Sequence, residues 1–233
     1  MERVSISYGD LPVLLVAPHG ADDINTDYIV DKISSEMGLF SVINRGWKRS
    51  PNVDYYNDKA NCNDIRHIHE DVVKEEFLDP ILRTVAKIQN TLDERVFILN
   101  IHGCNNNVKE KANDKKLDII LGCGEGSPPS YSCSSDFKNA FTFFLEEQNF
   151  GVYQGKKGGK FSGHSKNNLN QLFNFWYPPM KGNVHSFQVE IVKELREDGD
   201  ILDFTCEGLI SAIDELILYD DATKIPEIEF KYI

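Results

Sequence analysis

Apolar positions in this chain follow two rhythms: short continuous runs of strand length, and longer stretches in which they recur every three or four residues. Runs of four to eight apolar residues bounded by turn residues read as buried strands, and the three-to-four spacing reads as amphipathic helix. By this rule VSISYG (4–9), LPVLLVAP (11–18), LFSVINRGW (39–47), RVFILNIH (95–102), LDIILGCG (117–124) and VHSFQVEI (184–191) are strands. Helices are predicted in four places. The first starts at Asn25 or Thr26, shares Ile29, Val30 and Ile33 on one face, and ends near Gly38. A second runs from Glu70 to Leu92, broken or kinked at Pro80, because proline lacks a backbone donor and crowds the preceding turn. The others span Ser134–Asn149 and Asp203–Leu218, and the tail KIPEIEFKYI reads as an edge strand. Strand-like and helix-like segments alternate throughout, which predicts an α/β domain with a mixed, largely parallel sheet.

Two polar stretches interrupt this order. Residues 50–68 read as a long loop, and loops of that length in compact domains are usually functional. The Gly-, Lys- and Asn-rich segment 153–170 reads from composition as a solvated, charged, mobile loop. The 233 residues, 41% hydrophobic and 27% charged, suffice for one domain spanning 1–233 with a substantial core. A net charge of −12 argues against nucleic acid or an anionic membrane as partner and favours a small ligand. Five dispersed cysteines without a CxxC pair predict reduced thiols. With no basic leader and no apolar run near the ~18 residues of a membrane span, a cytoplasmic location is expected.

The candidate chemistry lies where strands stop. VLLVAPHG ends at His19 and Gly20, and VFILNIHG ends at His102 and Gly103. In open α/β sheets ligands bind at the carboxyl ends of strands, and a glycine there permits close approach to the backbone. A catalytic zinc commonly takes two histidines and a carboxylate. His19 and His102 supply two; the third is Asp22, three residues after His19, or Asp27 in the first turn of the following helix, with Asp23 behind both. Sharing one ion requires the two imidazoles to lie within about 6 Å. Glu190 sits in an apolar strand, on the face opposite Phe187, Val189 and Ile191, which suits a general base acting on water. Arg66 is the candidate cation for a substrate carboxylate or a developing oxyanion, since guanidinium binds carboxylate through two parallel hydrogen bonds. Lys157, Lys160 and His164 are candidates to close over an anionic ligand.

The ordered set APHG, TDYIVDKI, NCNDIR, ILNIHG, KKGGKFSGH and VHSFQVEI resembles the N-formylglutamate amidohydrolase family, whose fold is similar to that of zinc carboxypeptidases. The resemblance covers roughly residues 12–195. It implies a three-layer α/β/α domain and one zinc ion serving hydrolysis of an amide bond on a small acidic N-acyl amino acid. The family's first strand-end histidine falls on His19, its second on His102 and its strand glutamate on Glu190. The acidic residue at the start of its first helix matches Asp27, whereas the carboxypeptidase-like H-x-x-E pattern points to Asp22. The family's D-L-N-R run corresponds to ANCNDIR, which keeps Asn63 as a substrate-binding match and displaces the arginine to Arg66. The segment 104–116 departs from the family. The same ligands acting on a short peptide would make a zinc carboxypeptidase or a peptidoglycan or γ-glutamyl peptidase, and a binding protein on the same fold is the remaining reading.

Overall fold

The computed structural model describes residues 3–47, 61–69, 71–92, 95–155, 159, 161–197 and 199–224. Among the described residues seven strands form one mixed sheet: β1 (Val4–Ser7), β2 (Val13–Ala17), β3 (Phe40–Asn44), β4 (Val96–Cys104), β5 (Ile119–Gly122), β6 (Val152–Gln154) and β7 (Val184–Val192), in the order β1-β3-β2-β4-β7-β5-β6. The central strands β3, β2, β4 and β7 run parallel; β1 pairs antiparallel with β3, and β5 antiparallel with β7. All residues of β2 and β3 are buried, as expected for strands covered on both faces.

Alternate residues of the strands feed two cores. Val13, Leu15, Phe97, Leu99, Phe187 and Val189 pack with α1 (Thr26–Met37) and with the later helices Ser135–Glu147 and Gly199–Lys224. Leu14, Val16, Val96, Ile98 and Val184 pack on the other face with α2 (Ile65–Ile68) and α3 (Asp79–Lys87). This is the three-layer α/β/α arrangement. His102 and Glu190 fall in the phase of Ile98 and Val184, so both project from the second face at the carboxyl end of the sheet.

Local differences from the sequence reading have physical causes. Pro80 does not end its helix: it lies in the first turn of α3, and the preceding segment Lys74–Leu78 widens so that the Asp79 N–H donates to the Lys74 carbonyl. The wide turn relieves the clash that a proline ring makes with the carbonyl four residues back. The segment 104–116 holds a short helix, α4 (Asn107–Ala112), and the closing helix extends from Gly199 to Lys224 rather than over 203–218. The segment 153–170 is not a solvated loop in its described part. It begins with β6, Ser162 is fully buried, and Asn168 bridges to Asp64. The tail 225–233 and most of the loop 50–68 lie outside the described residues. All five cysteines are buried free thiols.

His185, early in β7, is clamped between Phe97 and Phe137, and its Nδ1 accepts from the N–H of Ser134, the residue that caps the following helix. Burial, with Arg95 nearby, pushes its pKa down to about 4. A histidine held neutral in the fold contributes stability that is present above its unfolded pKa near 6.5 and is lost as pH falls toward the folded value. His185→Asn, which keeps an acceptor but cannot be protonated, is expected to flatten the loss of stability between pH 6.5 and 4 by up to about 3 kcal/mol relative to the parent. Urea unfolding of the metal-free protein at a series of pH values measures this.

Candidate metal centre

The turn after β2 builds the first half of the site. Asp22 and Asp23 both donate their N–H groups back to the His19 carbonyl, at 2.8 and 2.7 Å, and the Asp23 carbonyl accepts from the N–H and hydroxyl of Thr26 at the start of α1. This curl brings the Asp23 side chain beneath His19. Buried Asn44 at the end of β3 fastens the turn by donating to the Pro18 carbonyl at 2.8 Å. A side chain at Gly20 would come within 2.7 Å of the Asn44 carbonyl, so the glycine is needed for packing against a neighbouring strand, not for a ligand.

The second half comes from β4. The His19 and His102 rings lie 4.9 Å apart, edge to face. Asp23 Oδ2 is 3.5 Å from His19 Nδ1 and 3.9 Å from His102 Nδ1, and it accepts from the Gly103 N–H at 2.9 Å. The ligating atoms of His19, Asp23 and His102 all lie within 4.8 Å of one another. Ligands around a tetrahedral ion at about 2.1 Å are separated by about 3.4 Å, so the three groups fit a shared divalent cation. His19 Nε2 meets Asn61 Oδ1 at 3.1 Å, which holds the ring with Nδ1 turned to Asp23.

The charge states follow from these contacts. Burial disfavours the imidazolium of His19, yet the hydrogen bond to Asp23 and its charge, with Asn61 and Glu190, outweigh it and raise the pKa above the ordinary value. Burial works against ionisation of Asp23 too, but His19 and the Gly103 N–H hold its pKa below the usual carboxylate range. Full burial, then the charge on His19, pushes His102 down to about 3 despite Asp23. These shifts favour the charged forms of His19 and Asp23 and the neutral form of His102. His102 Nε2 is buried and has no hydrogen-bond partner among the described residues.

Glu190 is 5% exposed and stands beside His102 in the parallel register of β4 and β7. Gln188, two residues earlier on the same face, donates to Glu190 Oε1 at 2.8 Å, and Asn168 donates to Gln188 Oε1 at 3.0 Å. The carboxylate is therefore held by buried Gln188, which half-buried Asn168 fixes in turn.

The acid set between the imidazoles is Asp23, in place of the expected Asp22 or Asp27. Asp22 is exposed on the turn, and Asp27 forms an ion pair with Arg45 at 2.9 Å. The reason is geometric: the tight curl after His19 turns the fourth residue inward, not the third, and α1 starts too far along to aim Asp27 at the site. Arg66 is exposed and binds Asp64 through both Nε and Nη2, at 3.0 and 2.5 Å. Asn63 Oδ1 is buried without a hydrogen-bond partner among the described residues. His164 Nδ1 pairs with the Ser162 hydroxyl at 2.6 Å, and His164 is not among the three ligating groups that cluster. Lys157 and Lys160 lie outside the described residues. Asn61 and the role of Gln188 went unread in the sequence; for Gln188 the signal was its place beside Glu190 on the polar face of an otherwise apolar strand.

No family model and no curated protein matches this chain. Solved structures do. The crystal structure of N-formylglutamate amidohydrolase from Ralstonia eutropha superposes with a TM-score of 0.60 at 13% identity, covering 96% of this chain and 100% of that one. This chain has the N-formylglutamate amidohydrolase fold. A bacteriophage poly-gamma-glutamate hydrolase matches with a TM-score of 0.54 at 12% identity, over 91% of this chain and 87% of that one. YndL, solved in a zinc-free form, matches with a TM-score of 0.52 at 14% identity, over 91% and 88%. Among the described residues no helix is long and apolar enough to cross a membrane.

Asp23 favours the protonated form of His19, so a metal ion competes with that proton for the ring. Calorimetric titration of the metal-free protein near pH 6.5, in buffers of different ionisation enthalpy, is expected to show proton release on binding and affinity that rises with pH. In the same titration Asp23→Asn should weaken binding strongly, whereas Asp27→Asn should leave it near the parent value.

Proposed function

We propose that this protein is a zinc-dependent hydrolase that cleaves the amide bond of a small acidic N-acyl amino acid such as N-formylglutamate. The observation that carries the reading is the convergence of His19 and His102 on the Asp23 carboxylate, with Glu190 beside His102 in the adjacent strand. The fold supports it, since solved structures with this architecture include an N-formylglutamate amidohydrolase and a poly-gamma-glutamate hydrolase. His19, Asp23 and His102 would hold the metal. Zinc, when bound, supplies a Lewis acid that acidifies water and polarises an amide carbonyl.

The chain's own residues do the rest. Glu190 accepts the proton of the attacking water and delivers it to the departing amine nitrogen, so that one carboxylate acts first as base and then as acid. Gln188 keeps one oxygen of Glu190 engaged and so fixes which way the carboxylate faces. Asn61 holds the His19 ring, and the buried Asn63 oxygen on the same segment is a candidate acceptor for substrate. Arg66 lies on the same segment, and its guanidinium would orient an acidic substrate only on leaving Asp64.

A short γ-glutamyl peptide is the second reading, and a surface feature favours it. Arg66 and Lys166 rim a depression of about 630 Å³ lined also by Asn167, Phe175 and Trp176, on a protein whose net charge is −12. Cations set beside exposed aromatics suit a longer acidic chain better than one amino acid. Comparing turnover of N-formylglutamate with that of γ-glutamyl oligomers separates the two readings.

Glu190→Gln tests the mechanism. The variant should still bind one equivalent of zinc but turn over substrate about 10²- to 10⁴-fold more slowly. His102→Ala should lose the metal and the activity together. A parent protein that takes up neither zinc, manganese nor cobalt would refute the proposal.

A further inference from the structure

We infer that Arg196 is a positioning residue: it ties the three segments that carry the metal-binding and proton-transferring groups into one rigid site. The inference rests on the metal-site reading above. Arg196 lies four residues beyond the end of β7, in the single turn Glu194–Glu197, and is only 4% exposed. Its guanidinium spends its donors on three backbone carbonyls. Nε donates to Ile191, next to Glu190, at 3.0 Å; Nη2 donates to Cys104, two residues after His102, at 3.3 Å; Nη1 donates to Ile24, next to Asp23. Each bond therefore ends within two residues of a different member of the site.

Two further observations show that the chain is built to admit this side chain. A Cβ at Gly103 would lie 2.5 Å from the guanidinium carbon, so the glycine that follows His102 leaves room for Arg196. The Arg196 carbonyl in turn accepts from the side chain of Asn25, whose backbone is left-handed (φ 58°), so the turn is fastened to Arg196 from both directions. An arginine stays charged, and the carboxylates of Asp23 and Glu190 act on it electrostatically. A lysine could replace the charge but not the planar fork that reaches three carbonyls at once.

The consequence is that Arg196 controls how well His19, Asp23 and His102 converge without touching substrate. Removing groups that orient metal ligands commonly costs 10- to 100-fold in metal affinity. The test uses cobalt(II) as probe on the full chain, reading both dissociation constant and ligand-field absorption. Arg196→Lys should fold, as judged by circular dichroism, and bind cobalt about 10- to 100-fold more weakly with an altered absorption spectrum. Arg196→Ala should regain affinity when millimolar guanidinium is added, a rescue that general loss of packing would not give. A folded Arg196→Lys with parental affinity and spectrum overturns the inference. Should Arg196→Lys not fold, Asn25→Gly decides: it keeps the left-handed turn and removes one of the two ties between the turn and Arg196, the Nη1 bond to Ile24 remaining. It should weaken cobalt binding at least about threefold, and unchanged binding overturns the inference. A parent that binds no cobalt overturns the metal reading itself, a separate result.

Discussion

The structure turns on one half-buried carboxylate. Asp23 lies between two imidazoles and the Gly103 N–H: one imidazole comes from the turn after β2, the other from the His102 side chain near the end of β4, and the N–H from the next residue of that strand. Burying a charge is tolerable only when it is paired and hydrogen-bonded. Asp23 meets that condition by drawing His19 into an ion pair and β4 into hydrogen bonding, so its satisfaction brings the two histidines together. The same three groups, relieved of one proton, are a ligand set.

Behind the site runs a polar layer that would be costly if incomplete. From Glu190 it passes through Gln188 and Asn168 to Asn170, then to Ser186, Ser132 and Asn100, with bonds between 2.7 and 3.3 Å. Such networks rigidify what they touch, and here Asn100 Oδ1 is the atom left without a hydrogen-bond partner among the described residues. This accounts for the behaviour of the segment after β6. Its composition is that of a solvated loop, but Asn168 and Asn170 are the groups that complete the network, and the backbone is drawn in with them. Asn168 also bridges to Asp64, which couples this layer to the segment carrying Asn61 and Asn63.

Much of the scaffold was legible in the linear pattern. Continuous apolar runs mark β2, β3, β4 and β5 because strands covered on both faces have no polar side to show, whereas β7 alternates, with Ser186, Gln188 and Glu190 on one face. The first helix was readable from Ile29, Val30 and Ile33 on one face and Gly38 at its left-handed end. Less legible was the helix through Pro80, since a widened turn absorbs the proline with no sequence mark. The short helix at 107–112, in a polar segment with one buried apolar residue, left almost no periodicity to read.

By itself the chain determined that two strands end in histidine and glycine, that a glutamate interrupts an apolar strand, and that the whole is an α/β domain, because these depend on local composition and period. Which aspartate meets the histidines was decided only in three dimensions. Asp22, Asp23 and Asp27 are chemically alike, and the choice depends on the curl of four residues fastened by Asn44 and Thr26. The two glycines show the same division: sequence marks them as places of close approach, and the tertiary structure supplies what approaches, the Asn44 carbonyl and the Arg196 guanidinium. Contacts between residues far apart in the chain have no period to announce them, so only the packed sheet and its turns could place them.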